Sequence, residues 1–297
     1  MQGTQQPSLN QVAIAIFAAD HGVAEEGVSA YPPSVTAAMV RNFAQGGAAI
    51  SVLAELLGAR LYIVNMGTRE PLQDLPQVWD RRVGPGTANF LHTPAMTRQQ
   101  RDAALQTGCQ VADSAIAEGV QLLIGGEMGI GNTTVAAALG SAILQCPAQQ
   151  LVGPGTGVDA VGVARKRAVI EAAVARHKPG NALDALQCLG GFEIAALVGV
   201  YIRCGQRGIP ILVDGFVTAA AALVAVTLRP PLRDWLFHAH LSQEPGHQRL
   251  LQALHEKPLL DLQLRLGEGS GAAVALPLLR AAAALHARMA TFAEAGI

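Results

Sequence analysis

Residues 121–134, Q-L-L-I-G-G-E-M-G-I-G-N-T-T, restrict the possible folds more than any other stretch. The apolar run Leu122-Leu123-Ile124 reads as a short strand buried on both faces. It stops at a glycine-rich turn carrying one carboxylate, Glu127. Asn132, Thr133 and Thr134 then open an alanine-rich segment with the composition of a helix. Strand, glycine loop and helix start in this order leave backbone N–H groups free at the carboxyl end of a sheet. That is where α/β proteins hold anionic ligands.

The same punctuation recurs. Residues 12–19, 61–66 and 209–213 are apolar runs of strand length, closed by Asp20-His21-Gly22, Gly67-Thr68-Arg69-Glu70 and Asp214-Gly215. Residues 236–239 read as a further strand, followed by the polar stretch 240–247. Helices are predicted over 34–45 with Ser34 as cap, from there to Gly58, from a Thr97 cap onward, over 132–145, 181–189, 192–206 and 218–228, and at the C-terminus. Residues 71–96, rich in proline and glycine, read as a surface excursion, and 258–260 are ambiguous. Strands alternating with helices predict an α/β fold: a three-layer, Rossmann-like parallel sheet with helices on both faces. Strand ends of a parallel sheet share one edge, so the polar groups after each run should converge on one cleft.

Composition excludes several classes. With 51% hydrophobic and 14% charged residues in 297, the chain can bury a large core. Its 21 basic and 22 acidic residues make no field for nucleic acid. Cys109, Cys146, Cys188 and Cys204 form no C-x-x-C pair and read as reduced thiols. The histidines lack metal-ligand spacing, so neither a metal nor another cofactor is expected. Apolar stretches such as 216–228 are too short to span a bilayer, and no charged leader precedes one. No membrane partner and a cytoplasmic location are expected.

Residues 125–134 can be an anion cradle or an ordinary capped turn. Glu127 would repel a phosphate, so it suits a ribose hydroxyl or a ring nitrogen, or else caps a helix. Residues 152–159, V-G-P-G-T-G-V-D, repeat the cradle pattern, and Lys166 follows on the next helix. Arg165, Lys166 and Arg167 point in different directions, so one or two at most can face a site. Glu268, between Gly267 and Gly269, can be a general base or a plain turn residue. His21, His240 and His247 read as hydrogen-bonded loop-end histidines, and no serine sits in a nucleophile elbow.

The runs F-A-A-D-H-G-V (17–23), G-V-S-A-Y-P (27–32), 126–134, 153–159, G-G-F-E (190–193), L-V-D-G-F (212–216), E-P-G-H (244–247) and 266–271 occur in this order. Together they resemble the nicotinate-nucleotide:5,6-dimethylbenzimidazole phosphoribosyltransferase family. The resemblance spans nearly the whole chain. It implies a parallel α/β core over 10–265, a C-terminal segment 266–297 joining a smaller helical lobe, and a homodimer. The implied reaction moves phosphoribose from nicotinate mononucleotide to dimethylbenzimidazole, giving α-ribazole 5′-phosphate and nicotinate for cobalamin assembly. A truncated, non-catalytic binding relative, or transfer to another base or a phenol, are the alternatives.

By the same resemblance Glu268 is the general base and Glu127 stabilises the ribose oxocarbenium. Ser29, Tyr31, Met128 and Leu266 line the benzimidazole pocket. Gly129, Gly131, Asn132, Gly153, Gly155, Thr156, Lys166, Asp214, Gly215 and Ser242 bind the nucleotide. Relatives in the family begin several tens of residues earlier, which implies a truncated chain or a reduced small lobe here. Pro33 stands where they carry a polar residue, and Ser51 where asparagine is frequent, a position that reads as structural.

Overall fold

The computed structural model describes residues 1–72 and 75–297. Each strand is short and apolar, and its alternation feeds two separate cores. On β1 (Val12–Ala19), Val12, Ile14, Ile16 and Ala18 enter one core while Ala13, Ala15, Phe17 and Ala19 enter the other. A strand with both faces dry cannot show a polar alternation, which is why the run is solid.

After β1 come α1 (Ser34–Ala44), α2 (Ala49–Leu57), β2 (Arg60–Gly67), β3 (Val78–Asp80), α3 (Arg98–Ala117), β4 (Leu122–Met128) and α4 (Asn132–Leu144). The second half holds α5 (Ala160–His177), α6 (Ala182–Leu189), α7 (Phe192–Arg207), β5 (Ile211–Val213), α8 (Phe216–Leu228), β6 (Leu236–His238), α9 (Pro245–Leu254) and α10 (Ser270–Arg288). Among the described residues the strands form one parallel sheet in the order β3-β2-β1-β4-β5-β6. This is the Rossmann order, and the direction of winding reverses between β1 and β4. A crevice at the carboxyl ends of those two strands follows from topology alone.

The expected three layers are present. Helices α7 and α8 cover one sheet face, with α3, α4 and α9 packed outside them. Helices α1, α2 and α10 cover the other. The α3–α7 crossing is close because two glycines face backbone: a Cβ on Gly108 would lie 1.9 Å from the Ala196 carbonyl oxygen, and one on Gly199 2.1 Å from that of Leu105. Thr97 caps α3 as predicted, in a full capping box with Gln100.

Several expectations are corrected. The 71–96 excursion is partly structural: it contributes β3 and buries Leu72, Phe90, Ala95 and Met96. Its Gln73 and Asp74 lie outside the described residues. Helix α9 begins inside the 240–247 stretch read only as polar and runs on to Leu254, although Pro245 at its first turn is a helix-start signal. Pro33, not Ser34, occupies the cap of α1. Pro210 holds β5 back to Ile211, because it cannot donate to a ladder. Ser51 is structural as expected, its hydroxyl donating to the Phe43 carbonyl at 3.0 Å.

The expectation that every apolar segment is too short to span a bilayer is also corrected: α10, with 19 residues, is long and apolar enough by length and composition. Its small residues hide that length in the sequence. One such helix is weak evidence for a membrane span, and Arg280 on it donates to the carbonyls of Leu9 and Leu57.

Candidate active site

The strand ends do converge. At the switch point Glu127 is the last residue but one of β4, and Gly126 beside it has no room for a side chain. A Cβ there would lie 2.4 Å from the Glu268 carbonyl oxygen, so the missing side chain lets the 267–269 loop close onto β4. In that loop Gly267, Glu268 and Gly269 all have left-handed backbones, with φ of 88°, 65° and 84°. Such a conformation is uncommon for a residue with a Cβ, and it aims Glu268 inward at the start of α10. The carboxylate of Glu127 lies against Gly267, where a Cβ would stand 2.6 Å from its Oε1.

Two glutamates far apart in sequence therefore share one buried crevice. Glu268 is 6% exposed, and its Oε2 accepts the Ile50 backbone N–H at 3.4 Å, in the first turn of α2. Burial pushes its pKa above the usual carboxylate value; the Ile50 N–H opposes this and the Asp214 charge adds to it. Glu127 accepts from the Asn132 side-chain amide. Burial raises the Glu127 pKa to about 8; the charges of Asp214 and Glu193 add to this, and the Asn132 bond opposes it. A group with that pKa is mostly protonated at neutral pH, so the free protein does not present the fixed negative charge assigned to Glu127. A cation placed beside it would draw the proton off.

Asp214, at the end of β5, accepts from the Ala272 N–H at 2.8 Å and lies 3.5 Å from His240 Nε2. Gly215 faces His240 and Ser242. The Ser242 N–H donates to His247 Nδ1 at 2.9 Å, so His247 is hydrogen-bonded as expected, but from the first turn of α9 and not from a loop end. His21 lies against a carboxylate: its Nε2 is 2.9 Å from Glu193 Oε1, with both side chains fully buried. Gly129 and Gly191 make room for this pair, since a Cβ on either would strike the His21 ring. Glu193 is a residue that sequence reasoning passes over; its only signal is the G-G-F-E run at the start of α7.

The second glycine loop meets the first through a lysine. Lys166 is 1% exposed on α5, and its Nζ donates to Thr133 Oγ1 at 3.0 Å and to the Gly153 carbonyl at 2.9 Å. Burial lowers its pKa to about 8, against the opposing pull of Glu244. Arg165 and Arg167 turn away, to the Gly27 carbonyl and to Glu171. Of the three basic residues, one faces the loops. Gly131 and Gly155, with φ of 97° and 55°, give both loops their sharp turns.

Ser29 stands on the second loop, its hydroxyl 3.0 Å from Thr156 Oγ1, which also accepts the Ala30 N–H. Met128 is half-buried against the α1–α2–α10 core. Tyr31 and Leu266 are 56% and 61% exposed, so neither is packed into a wall in this structure. A cavity of about 940 Å³ opens beside Arg69, Thr87, Met96 and Gln187, and its described lining includes none of these carboxylates.

A Rossmann-ordered sheet whose switch point joins two carboxylates to a lysine-backed glycine loop suits an enzyme acting on a phosphorylated nucleotide. A family model described as Phosphoribosyltransferase (DBI_PRT) matches residues 1–297. The chain is 60% identical to the nicotinate-nucleotide–dimethylbenzimidazole phosphoribosyltransferase of Pseudomonas putida strain GB-1, covering 100% of this chain and 85% of that one. It is 59% identical to the same enzyme of Azotobacter vinelandii, with the same coverage. The crystal structure of CobT from Thermus thermophilus superposes with a TM-score of 0.97 at 49% identity, covering 100% of this chain and 89% of that one. The chain belongs to the nicotinate-nucleotide–dimethylbenzimidazole phosphoribosyltransferase family.

Proposed function

We propose that the protein transfers the phosphoribosyl group of nicotinate mononucleotide to 5,6-dimethylbenzimidazole, forming α-ribazole 5′-phosphate and nicotinate for the nucleotide loop of cobalamin. The observation that carries this is full-length similarity to enzymes of that name, with the two carboxylates held together at the switch point.

The pyridinium nitrogen of the nucleotide carries a positive charge. Its bond to C1′ breaks with both electrons returning to the ring, so no acid is needed for the leaving group. Positive charge then develops on the ribose. Glu127, once ionised beside that charge, stabilises it. One nitrogen of the benzimidazole attacks C1′ from the face opposite the departing nicotinate, which inverts β to α. Its other nitrogen gives its proton to Glu268, whose raised pKa suits it to accept one.

In this reading Gly129, Gly131 and Asn132 hold the nucleotide loop, and Asp214, Gly215 and Ser242 border the ribose. Gly153, Gly155, Thr156 and Lys166 take the phosphate. Ser29, Tyr31, Met128 and Leu266 meet the benzimidazole, with Tyr31 and Leu266 closing when it binds. The core runs over 10–265, and the segment from 266 joins α1 and α2 as the smaller lobe. A second copy covers the apolar side chains that α2 and α10 expose: Leu56, Val274, Leu278 and Leu285. The test is to incubate the purified protein with both substrates and follow nicotinate and α-ribazole 5′-phosphate by chromatography. Equal amounts of the two are expected. Binding of both substrates without turnover would overturn the assignment.

A further inference from the structure

We propose that Glu244 is a positioning residue for the nucleotide phosphate: it holds residues 153–155 in their cradling shape and faces the buried Lys166 ammonium with its negative charge. This rests on the reading that Lys166 and the 153–156 loop take the phosphate.

Glu244 occupies the N-cap of α9, yet its side chain makes no cap bond. It turns instead to the neighbouring loop, where Oε1 accepts the Gly155 N–H at 2.9 Å. Its Oε2 lies so close to Gly153 that a Cβ there would stand 2.4 Å away. The side chain is 6% exposed, so this contact is built into the fold. The turn that carries it is fixed in its own right. The Glu244 N–H donates to Ser242 Oγ at 3.2 Å, and the Ser242 N–H donates to His247.

Lys166 needs such a partner. The acceptors it touches, the Thr133 hydroxyl and the Gly153 carbonyl, are both neutral, and two of its three N–H donors are spent on them. A buried ammonium without an opposing charge loses its proton easily. Among the charged groups around it, Arg165 and Arg167 on its own helix turn away, α4 contributes the neutral Thr133, and burial keeps His247 on α9 neutral. Glu244 is the group whose charge favours the ammonium; burial pushes the Glu244 pKa up, and the Lys166 charge, the Gly155 N–H and the Arg265 charge oppose this.

The test measures kcat and KM across pH 6 to 10 for nicotinate mononucleotide and for nicotinate riboside, which lacks the phosphate. Glu244→Gln keeps an acceptor for the Gly155 N–H but removes the charge. It should move the alkaline limb of kcat/KM to lower pH by roughly one unit and raise KM about 10-fold at pH 8, for the nucleotide only. An alkaline limb shared by both substrates does not come from Lys166, since the riboside has no phosphate for it to hold. Glu244→Asp keeps the charge but is too short to reach Gly155, so it should raise KM at every pH and leave the limb in place. The proposal is overturned if Glu244→Gln leaves limb and KM unchanged, or changes both substrates alike, while Lys166→Met raises KM for the nucleotide. If Lys166→Met leaves that KM unchanged, the underlying phosphate assignment fails.

Discussion

Glu127 and Glu268 lie in one crevice, and their environments divide the work between them. Both are buried; burial and the neighbouring carboxylates Asp214 and Glu193 push the Glu127 pKa up to about 8, while a backbone N–H donor opposes the rise at Glu268. We therefore expect binding of the nucleotide, with its positively charged pyridinium ring beside Glu127, to release close to one proton from Glu127 at pH 7. Calorimetry in buffers of different ionisation heat would measure it, and Glu127→Gln should remove that release; equal heats in all buffers would contradict the account. The same proton affects stability. Folded Glu127 binds its proton more tightly than the unfolded chain, which releases it near 4.5. Its contribution is complete below pH 4.5 and is lost as pH rises to about 8, at roughly 1.4 kcal/mol per unit. Urea unfolding of Glu127→Gln against wild type should show this decline missing from the variant.

At the scale of elements, the legible strands are those buried on both faces, because their apolar runs have no interruptions. Strand β3 escapes a sequence reading since Val78–Asp80 has three residues and runs from buried to exposed. Helix α9 escapes it because its buried face mixes Gly246 and His247 with Leu250, Leu251 and Leu254, so no apolar run marks its first turn. The site is legible where a residue's type states its use: Glu268 between glycines, and Lys166 after a glycine loop. It is not legible at Glu193 and Glu244, whose partners His21 and Gly155 are far away in sequence and are met only through the fold.

Glycine content hints at close packing of helices on the sheet, and the closest approaches include helix against helix. Gly108→Ala would press a methyl into the Ala196 carbonyl and spread α3 from α7. The expected loss is about 1–3 kcal/mol, read from the urea midpoint; Gly180→Ala, whose added methyl would meet nothing nearer than Asp184 Oδ2 at 3.6 Å, lacks that clash and serves as the control. An undiminished midpoint in Gly108→Ala would mean that the helices separate at little cost.

For the molecule as a whole, the two sheet faces are covered unequally. Helices α1, α2 and α10 leave Leu56 76% and Leu278 51% exposed. Exposed leucines on two helices that pack against each other suit an interaction face. The proposed dimer predicts that Leu278→Glu shifts sedimentation from a dimer toward a monomer, with the sheet and its circular dichroism intact. A wild-type chain that sediments as a monomer at micromolar concentration would remove the dimer from the account.

The parallel sheet brings Glu268 to the switch point, and the central claim is that its carboxylate takes the proton of the attacking benzimidazole. Steady-state rates of Glu268→Gln with both substrates saturating test this most directly. The account predicts a fall in kcat of roughly 100-fold or more, with KM for nicotinate mononucleotide little changed. A variant that forms α-ribazole 5′-phosphate at the wild-type rate would contradict it.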